Sequence, residues 1–396
     1  MSASTPHRTA RLLELAQVFA RIGLTGFGGP AATIAMMEDE TVSRRGWLGR
    51  QQFLDMLGIT NVIPGANAAE MALHVGYVRA GLSGLLVSGA AFVLPAALLS
   101  TLFAWAYVRF GTLPQAAPIL YGIKPVVLAL IFAALWKLGR SGLRSWPLLA
   151  IGLGVIALTY LGLNEVLALF AGGVLGMLAL RARAAARARP RSDRLLCLLA
   201  PGAALQTWLI GAPLRALTES VAPSLWRLAL FMLRVGAVLY GSGYVLAVFL
   251  EGGLVRDYGW LSQQQLLDAI AVGQITPGPL LSTVAFVGYL LFGLPGAVAC
   301  TAAVFAPSFV FVLATARWVP VLRRSPWTAA FLDAINASSL VLMVIVTVRL
   351  GRAALVDWPA LLIAALGAFA LFRFKISSTW LVLGGALAGC LTGLLR

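Results

Sequence analysis

Long apolar runs, separated by short polar or basic segments, fill almost the whole chain. Many of them approach the roughly 20 residues that a helix needs to cross a bilayer. Glycine and proline interrupt four of the runs. The pattern therefore predicts an all-α polytopic membrane protein with about 12–13 transmembrane segments, some of them discontinuous helices. The predicted helices lie near 12–37, 53–78, 82–108, 117–137, 146–162, 164–181, 225–250, 266–290, 293–316, 328–348, 355–372 and 377–395.

Composition supports this class. Of 396 residues, 60% are hydrophobic and only 11% are charged, far from the balance of a soluble domain. The net charge of +16 indicates cytoplasmic membrane faces and anionic lipid rather than nucleic acid. Three scattered cysteines and two histidines form no disulfide or metal-binding pattern, so we expect no cofactor and no metal.

The second half of the chain repeats the first. A shift of 213 residues places Pro64-Gly65 on Pro277-Gly278. After one deletion the shift becomes 212, and Trp146-Pro147 then falls on Trp358-Pro359. Internal duplication is typical of transporter folds, whose binding site lies where the repeats meet. We divide the chain into a first repeat (1–181), a basic loop with an apolar connector (182–224) and a second repeat (225–396).

The first interruption lies inside a run that would otherwise make a good transmembrane helix. In hydrocarbon, a broken backbone is tolerated only where protein buries it or where it lines a cavity. Since proline suits the first position of a helix, Pro30 predicts a new helix start. Its free N–H groups would form a positively polarised, anion-sized socket. The predicted socket residues are Gly26, Phe27, Gly28, Gly29 and Pro30.

Each half carries a second interruption, so each could aim two helix starts at one point near the midplane. In the second half, Thr276 and Pro279 predict a cap followed by a first-turn proline. The alternative is that the Pro-Gly pairs only kink packed helices. The further predicted socket residues are Pro64, Gly65, Asn67, Gly241, Gly243, Thr276, Pro277, Gly278 and Pro279.

Basic residues inside the apolar runs are a second group of candidates. Arg21 and Arg234 occupy matched positions shortly before the first interruption of each half. An arginine fork suits a tetrahedral oxyanion, although both side chains could instead reach the interface. Lys124 is a further candidate for substrate binding. Asn336 occupies the matched position, so the two halves would share this role only in part.

A carboxyl group and an imidazole follow the second interruption of the first half. Glu70 and His74 are four residues apart and share one helical face. Such a pair at membrane depth is a candidate for proton coupling, with simple packing as the alternative for His74. The second half has Thr283 and Val287 there, so a coupling role would belong to the first half. We interpret Glu38 and Glu251 as structural ion-pair partners, and Asp55 and Asp268 as first-turn helix charges.

The arginines also bear on orientation. With the basic loop 181–194 in the cytoplasm, the N-terminus is cytoplasmic, but Arg44, Arg45 and Arg50 fall outside. We favour halves that are inverted relative to each other, because the connector 195–211 is apolar and long enough to cross a thinned bilayer. A connector on the membrane surface, with parallel halves, is the alternative. The charge rule does not decide between them.

These motifs together resemble the chromate transporter family in its long two-domain form. The similarity covers nearly the whole chain and rests on Gly26–Pro30, Gly46-Trp47, residues 63–71 and residues 276–289. One departure is Ala66, where the family usually has a second proline. The resemblance implies a bacterial inner-membrane protein that exports chromate, uses the proton-motive force and confers chromate resistance. It implies a transporter and not an enzyme.

Two other functions stay open on the sequence. One is a carrier of sulfate or another oxyanion, because sulfate and chromate are tetrahedral dianions of similar shape. A more remote one is a membrane-embedded enzyme acting on lipid, for which the chain lacks a nucleophile–base pair or a metal cluster. Transport direction, ion coupling and the formation of a homodimer are also open.

Overall fold

A computed structural model describes residues 8–26, 29–111, 116–142, 146–161, 163, 165–187, 222–240, 243–315, 326–374 and 376–394. The regular elements in these ranges are all helices. The first half contains α1 (Arg8–Thr25), α2 (Gly29–Glu38, continued by a π-helical turn Asp39–Arg44), α3 (Arg50–Thr60), α4 (Asn67–Phe110), α5 (Ala116–Gly142), α6 (Trp146–Tyr160) and α7 (Glu165–Arg187).

The second half repeats this order. It contains α8 (Leu225–Val238), the 3-10 turn Gly243–Val245, α9 (Leu246–Leu250, continued by a π-helical turn Glu251–Asp257), α10 (Gln263–Ile275), the 3-10 turn Leu280–Ser282, α11 (Thr283–Thr315), α12 (Pro326–Ala354), α13 (Trp358–Phe374) and α14 (Ser378–Leu394). The predicted duplication is thus present in the fold.

Helices α4 and α11 each reverse direction at one point. In α4 the reversal is at Ala80 and Gly81, and Gly81 has a φ of 65°, which favours glycine. The hydroxyl of Ser88 donates to the carbonyl oxygen of Ala72 at 2.8 Å, across the reversal. In α11 the same turn occurs at Gly293, with a φ of 61°. Each is therefore a short arm (67–79 or 283–291) followed by a long helix (82–110 or 294–315).

The interrupted runs do not cross the membrane as we expected; they turn back. Arg45 Nη1 lies 2.8 Å from Glu14 Oε1, although the interruption near residue 27 separates the two in sequence. Had α2 continued in the direction of α1, these residues would lie about 40 Å apart at 1.5 Å per residue. Helices α1 and α2 therefore form a re-entrant hairpin whose tip is at the interruption. Helix α3 and the short arm of α4 form a second one, since Arg79 also contacts Glu14, at 3.2 Å.

The two hairpins of each half enter from opposite ends of the molecule. One end, which we call the Glu14 end, holds Glu14, Arg45 and Arg79. The long helix of α4 starts there, where Arg8 donates to Ser83. At its far end Tyr107 donates to Asp268 on α10. We call that far end the Glu165 end; there Arg256 lies 2.6 Å from Glu165.

The halves are thus inverted relative to each other, as the sequence favoured. Helix α7 ends at the Glu14 end, where Arg181 lies over Trp327, and α8 belongs to a hairpin that enters from the Glu165 end. The connector 195–211 itself, and residues 188–194 of the basic loop, lie outside the described residues. The estimate of 12–13 transmembrane segments counted each interrupted run as a crossing, which the re-entrant hairpins are not.

Two bundles make up the described fold. The hairpins pack with the long helices of α4 and α11, and we call this set the hairpin bundle. Helices α5, α6 and α7 pack with α12, α13 and α14 as the scaffold bundle. In the scaffold bundle Gly122 approaches Gly385 and Gly389 so closely that a side chain would not fit, as is usual for helices packed in a membrane.

The outer surface is apolar. Leu94, Leu98 and Leu102 are more than half exposed along one face of α4. Among the described residues, five helices are long and apolar enough to cross a membrane: Asn67–Phe110, Ala117–Arg140, Glu165–Ala184, Leu280–Thr315 and Pro326–Ala354. The chain is therefore a multi-pass membrane protein with its polar groups turned inward.

Candidate functional site

The tips of the four hairpins meet in pairs across the two halves. The backbone N–H of Gly65 donates to the carbonyl oxygen of Leu239 at 2.7 Å. The matched bond runs the other way, from the N–H of Gly278 to the carbonyl oxygen of Gly26 at 3.2 Å. The shift of 213 residues converts one bond into the other. Each half therefore completes the broken backbone of its partner, and we call this meeting point the tip junction.

Glycine is required at both donor positions. Gly65 has a φ of 140° and Gly278 a φ of 95°, where other residues are strained. A Cβ at Gly65 would overlap Glu70 Oε1 and Ser308 Oγ, and one at Gly278 would lie 3.0 Å from Ala96 Cβ. The reciprocal bonds thus depend on the Pro-Gly pairs seen in the sequence.

Each hairpin's returning arm begins at the tip junction. Helix α4 begins after Ala66, and the 3-10 turn that leads into α11 begins after Pro279; neither cap residue supplies a side-chain hydrogen bond. Helix α2 begins at Gly29, with Pro30 as its second residue. Uncapped helix starts carry free N–H groups and a partial positive charge. The junction can therefore hold an anion.

One carboxyl group is buried beside this junction. Glu70 is fully buried; its Oε1 accepts a hydrogen bond from Ser308 Oγ of the other half at 3.2 Å, and its Oε2 has no partner among the described residues. His74, one turn further, is 2% exposed and its Nε2 is likewise unpartnered there. The predicted pair is thus buried at membrane depth with unused hydrogen-bonding capacity.

The second half places an amide, not a carboxyl group, at its tip. Gln274 is 7% exposed and precedes the turn at Thr276. Its Oε1 accepts a hydrogen bond from Tyr244 at 3.3 Å, while its Nε2 has no partner among the described residues. Our reading of the sequence did not select Gln274. The available signal was that Asn61, another amide, occupies the matched position.

Most of the predicted socket residues do lie at the tip junction or in the turn after it. The cap assignment at Thr276 is corrected: Thr276 ends α10, its hydroxyl donating to Val272, and Pro279 itself is the residue before the next turn. Phe27, Gly28 and Gly241 lie outside the described residues. The described socket residues are Gly26, Gly29, Pro30, Pro64, Gly65, Asn67, Gly243, Thr276, Pro277, Gly278 and Pro279.

The two predicted arginines lie away from the junction. The side chain of Arg21 is 69% exposed and lies 3.7 Å from Glu40. Arg234 lines a small cleft between α8 and the start of α7, together with Glu165 and Asp257. The two matched residues therefore have different surroundings, each with carboxyl groups close by.

Lys124 is engaged by a carboxyl group from the other half. Its Nζ lies 3.4 Å from Asp268 Oδ1, and Tyr107 donates to Asp268 Oδ2 at 2.9 Å. Asp268 is the sixth residue of α10, so it is an ion-pair partner and not the first-turn charge that we expected. Asn336 lies within α12 of the scaffold bundle.

Glu38 and Glu251 do form ion pairs, with Arg50 at 3.6 Å and Arg349 at 2.9 Å. No group of three or more His, Cys, Asp or Glu side chains that could hold a metal ion is found in the part of the chain that the structure describes.

Comparison with known proteins identifies the family. The sequence model described as "Chromate transporter" matches residues 13–177 and again residues 226–390. A "Chromate transport protein" of Cupriavidus metallidurans is 34% identical over 96% of this chain and 93% of its own length. A "Probable chromate transport protein" of Synechococcus elongatus is 32% identical over 97% of this chain and 96% of its own length.

Shorter relatives correspond to one half. An "Uncharacterized transporter" of Bacillus subtilis is 30% identical over 37% of this chain but 85% of its own length. No solved structure matches the chain. The two family matches, and full-length relatives above 30% identity, place this transporter in the chromate transporter family.

Proposed function

We propose that this protein exports chromate across the bacterial inner membrane and thereby confers chromate resistance. The observation that carries the proposal is the tip junction, where uncapped helix starts from both halves converge. Such starts favour a compact anion without binding any particular one covalently. The names of the full-length relatives supply chromate as the first candidate.

The junction residues bind the anion, and the basic residues attract it. Backbone donors come from residues 26–30, 64–67, 241–243 and 276–279. Arg21, Arg234 and Lys124 raise the local concentration of anions rather than coordinate one in the described state, since each has a carboxyl group nearby. Asn336 is assigned a polar lining role at the position matching Lys124.

Glu70 and His74 couple transport to protons. A carboxyl group buried beside an anion site exchanges charge with it, because holding both negative charges in a low dielectric is costly. When Glu70 takes up a proton the anion is tolerated, and when the anion leaves the proton can follow. The second half has no titratable group at the matched Thr283.

The re-entrant hairpins support a cytoplasmic N-terminus. They bring Arg44, Arg45 and Arg50 to the same end as Arg8, so these three residues no longer oppose the charge rule. Arg140 and Arg181 belong to that end too. We therefore assign the Glu14 end, with the basic loop 181–194, to the cytoplasm.

Everted membrane vesicles test the proposal directly. Vesicles containing the protein should accumulate chromate when respiration acidifies their interior, and an uncoupler should abolish the uptake. Vesicles from cells without the protein are the control. Uptake that survives the uncoupler would refute proton coupling, and no uptake above the control would refute chromate transport.

A sulfate carrier is the second candidate. Backbone N–H groups recognise the charge and shape of a tetrahedral dianion but not its central atom, so they separate sulfate from chromate weakly. Sulfate that inhibits chromate uptake, and is itself accumulated faster than chromate, would favour this alternative. Absence of sulfate competition would favour chromate.

A further inference from the structure

The amide of Gln274 has a fixed direction and an unused donor. Tyr244 donates to Gln274 Oε1 at 3.3 Å, which leaves Nε2 facing the other way. Nε2 is buried and has no hydrogen-bond partner among the described residues. Leaving a buried donor unpaired costs about 1–3 kcal/mol. An amide held in this way is suited to a ligand that brings an acceptor.

A second unused polar group lies next to it. Ser378 Oγ donates to the carbonyl oxygen of Gln274 at 3.4 Å, so the start of α14 adjoins Gln274. The next residue, Thr379, has a buried hydroxyl that is also unpartnered in the described part of the chain. The first turn of α14, a helix of 17 residues, adds free N–H groups and a partial positive charge.

The matched amide of the first half has no such capacity. Asn61 Nδ2 donates to the carbonyl oxygen of Leu57 at 3.0 Å. Its Oδ1 accepts a hydrogen bond from Asn67 Nδ2 at 2.7 Å. Asn61 therefore spends its amide in closing its own hairpin tip, whereas Gln274 does not. The unused donor is thus a property of the second half and not of the repeat as such.

We infer that Gln274 Nε2, Thr379 Oγ1 and the first turn of α14 form a subsite for a fully deprotonated tetrahedral oxyanion. This inference deepens the proposed function and rests on it. The acceptor of Gln274 is already taken by Tyr244, so the amide has only donors to offer. A dianion such as chromate or sulfate presents only acceptors, whereas hydrogen phosphate carries an O–H donor that finds no partner there. The subsite therefore selects against protonated oxyanions.

Thermal unfolding of the purified full-length protein tests the subsite. At alkaline pH, sodium chromate and sodium sulfate should each raise the unfolding temperature with a saturable dependence, and sodium phosphate should do so much less. Gln274→Leu and Thr379→Val should each weaken the apparent affinity about 3- to 10-fold, the effect of one lost hydrogen bond. Gln274→Glu should weaken it more, because it adds a negative charge.

Gln52→Leu is the matched control, since Gln52 is an exposed glutamine on α3; it should leave the affinity unchanged. Tyr244→Phe frees the amide to turn and should reduce the preference for sulfate over phosphate. If Gln274→Leu gives no monodisperse protein, Thr379→Val and Gln274→Asn carry the test.

The outcomes separate the subsite from the proposed function. Wild-type affinity in both Gln274→Leu and Thr379→Val, or no stabilisation of the wild type by either dianion, overturns the subsite. Stabilisation by sulfate alone that both variants lose supports the subsite and argues against chromate as substrate. Chromate uptake with an unchanged KM in Gln274→Leu vesicles overturns the subsite while the proposed function stands.

Discussion

Helices α3 and α10 occupy matched positions in the two halves but have different surroundings. Leu54 of α3 is 41% exposed, whereas its counterpart Leu267 of α10 is fully buried. Asp55 is half-buried, while the matched Asp268 is 3% exposed. The same hairpin thus exists in an open and in a packed environment within one molecule.

Contacts with the scaffold bundle account for the difference. The hairpins of the second half are tied to it by Arg349–Glu251, Arg256–Glu165 and Lys124–Asp268. In the first half, the ion pairs of Glu14, Glu38 and Glu40 stay within the hairpin bundle. Duplication therefore specifies how each hairpin folds, but not how it docks. Inverted transporters can exchange such environments between their repeats during transport.

The largest expected effect separates the two tips by their chemistry. Glu70→Gln should reduce proton-driven chromate uptake to about one-tenth or less, because it removes the titratable group buried at the junction. The matched change Thr283→Ala should alter uptake by less than about twofold, since Thr283 donates only to the carbonyl oxygen of Leu280. Initial rates in everted vesicles, corrected for protein level, provide the measurement. Equal effects at the two positions would contradict a coupling role confined to the first half.

The next effect concerns docking. Asp268→Asn should lower the free energy of unfolding by about 2–3 kcal/mol, because it leaves the largely buried Lys124 without its counter-charge. Asp55→Asn should cost less than about 1 kcal/mol. Thermal unfolding in detergent compares the two. Lys124→Gln combined with Asp268→Asn should recover part of the loss, and additive losses would show that the pair is not coupled.

Backbone geometry at the tips should give a further, similar pair of losses. Gly65→Ala and Gly278→Ala should each destabilise the protein by about 1–3 kcal/mol, since both glycines have positive φ angles. Gly65→Ala should be the worse, as its new methyl group overlaps Glu70 and Ser308. Gly154→Ala is the control, because that helical site has open space; it should be neutral or slightly stabilising.

The mildest test measures the two environments directly. With Cys197, Cys300 and Cys390 replaced, the pair Gln264→Cys and Ala353→Cys should react efficiently with a short bismaleimide, because Gln264 donates to the Ala353 carbonyl oxygen at 2.9 Å. The matched pair Gln51→Cys and Ser141→Cys should give about one-tenth of that yield if the first-half hairpin is undocked by ~1.4 kcal/mol. Gel mobility reports the product. Equal yields would show that both halves dock alike in solution.

The amino-acid sequence by itself determined the helical class, the duplication and the positions of the four interruptions. These are local properties: an apolar run demands a helix in hydrocarbon, and Pro-Gly pairs such as Pro64-Gly65 cannot continue one. Glu70 was found for the same reason, because a carboxyl group in an apolar run is costly wherever the run lies.

Only the tertiary structure decided where the chain goes after each interruption. Hydropathy records the solvent around a segment but not its direction, so a re-entrant hairpin and a crossing helix look alike in sequence; the Arg45–Glu14 contact distinguishes them. The partners of Lys124 and Gln274 come from elements far away in the chain. Which of two matched residues is satisfied, Asn61 or Gln274, depends on docking between bundles, and docking is a long-range property that no local pattern encodes.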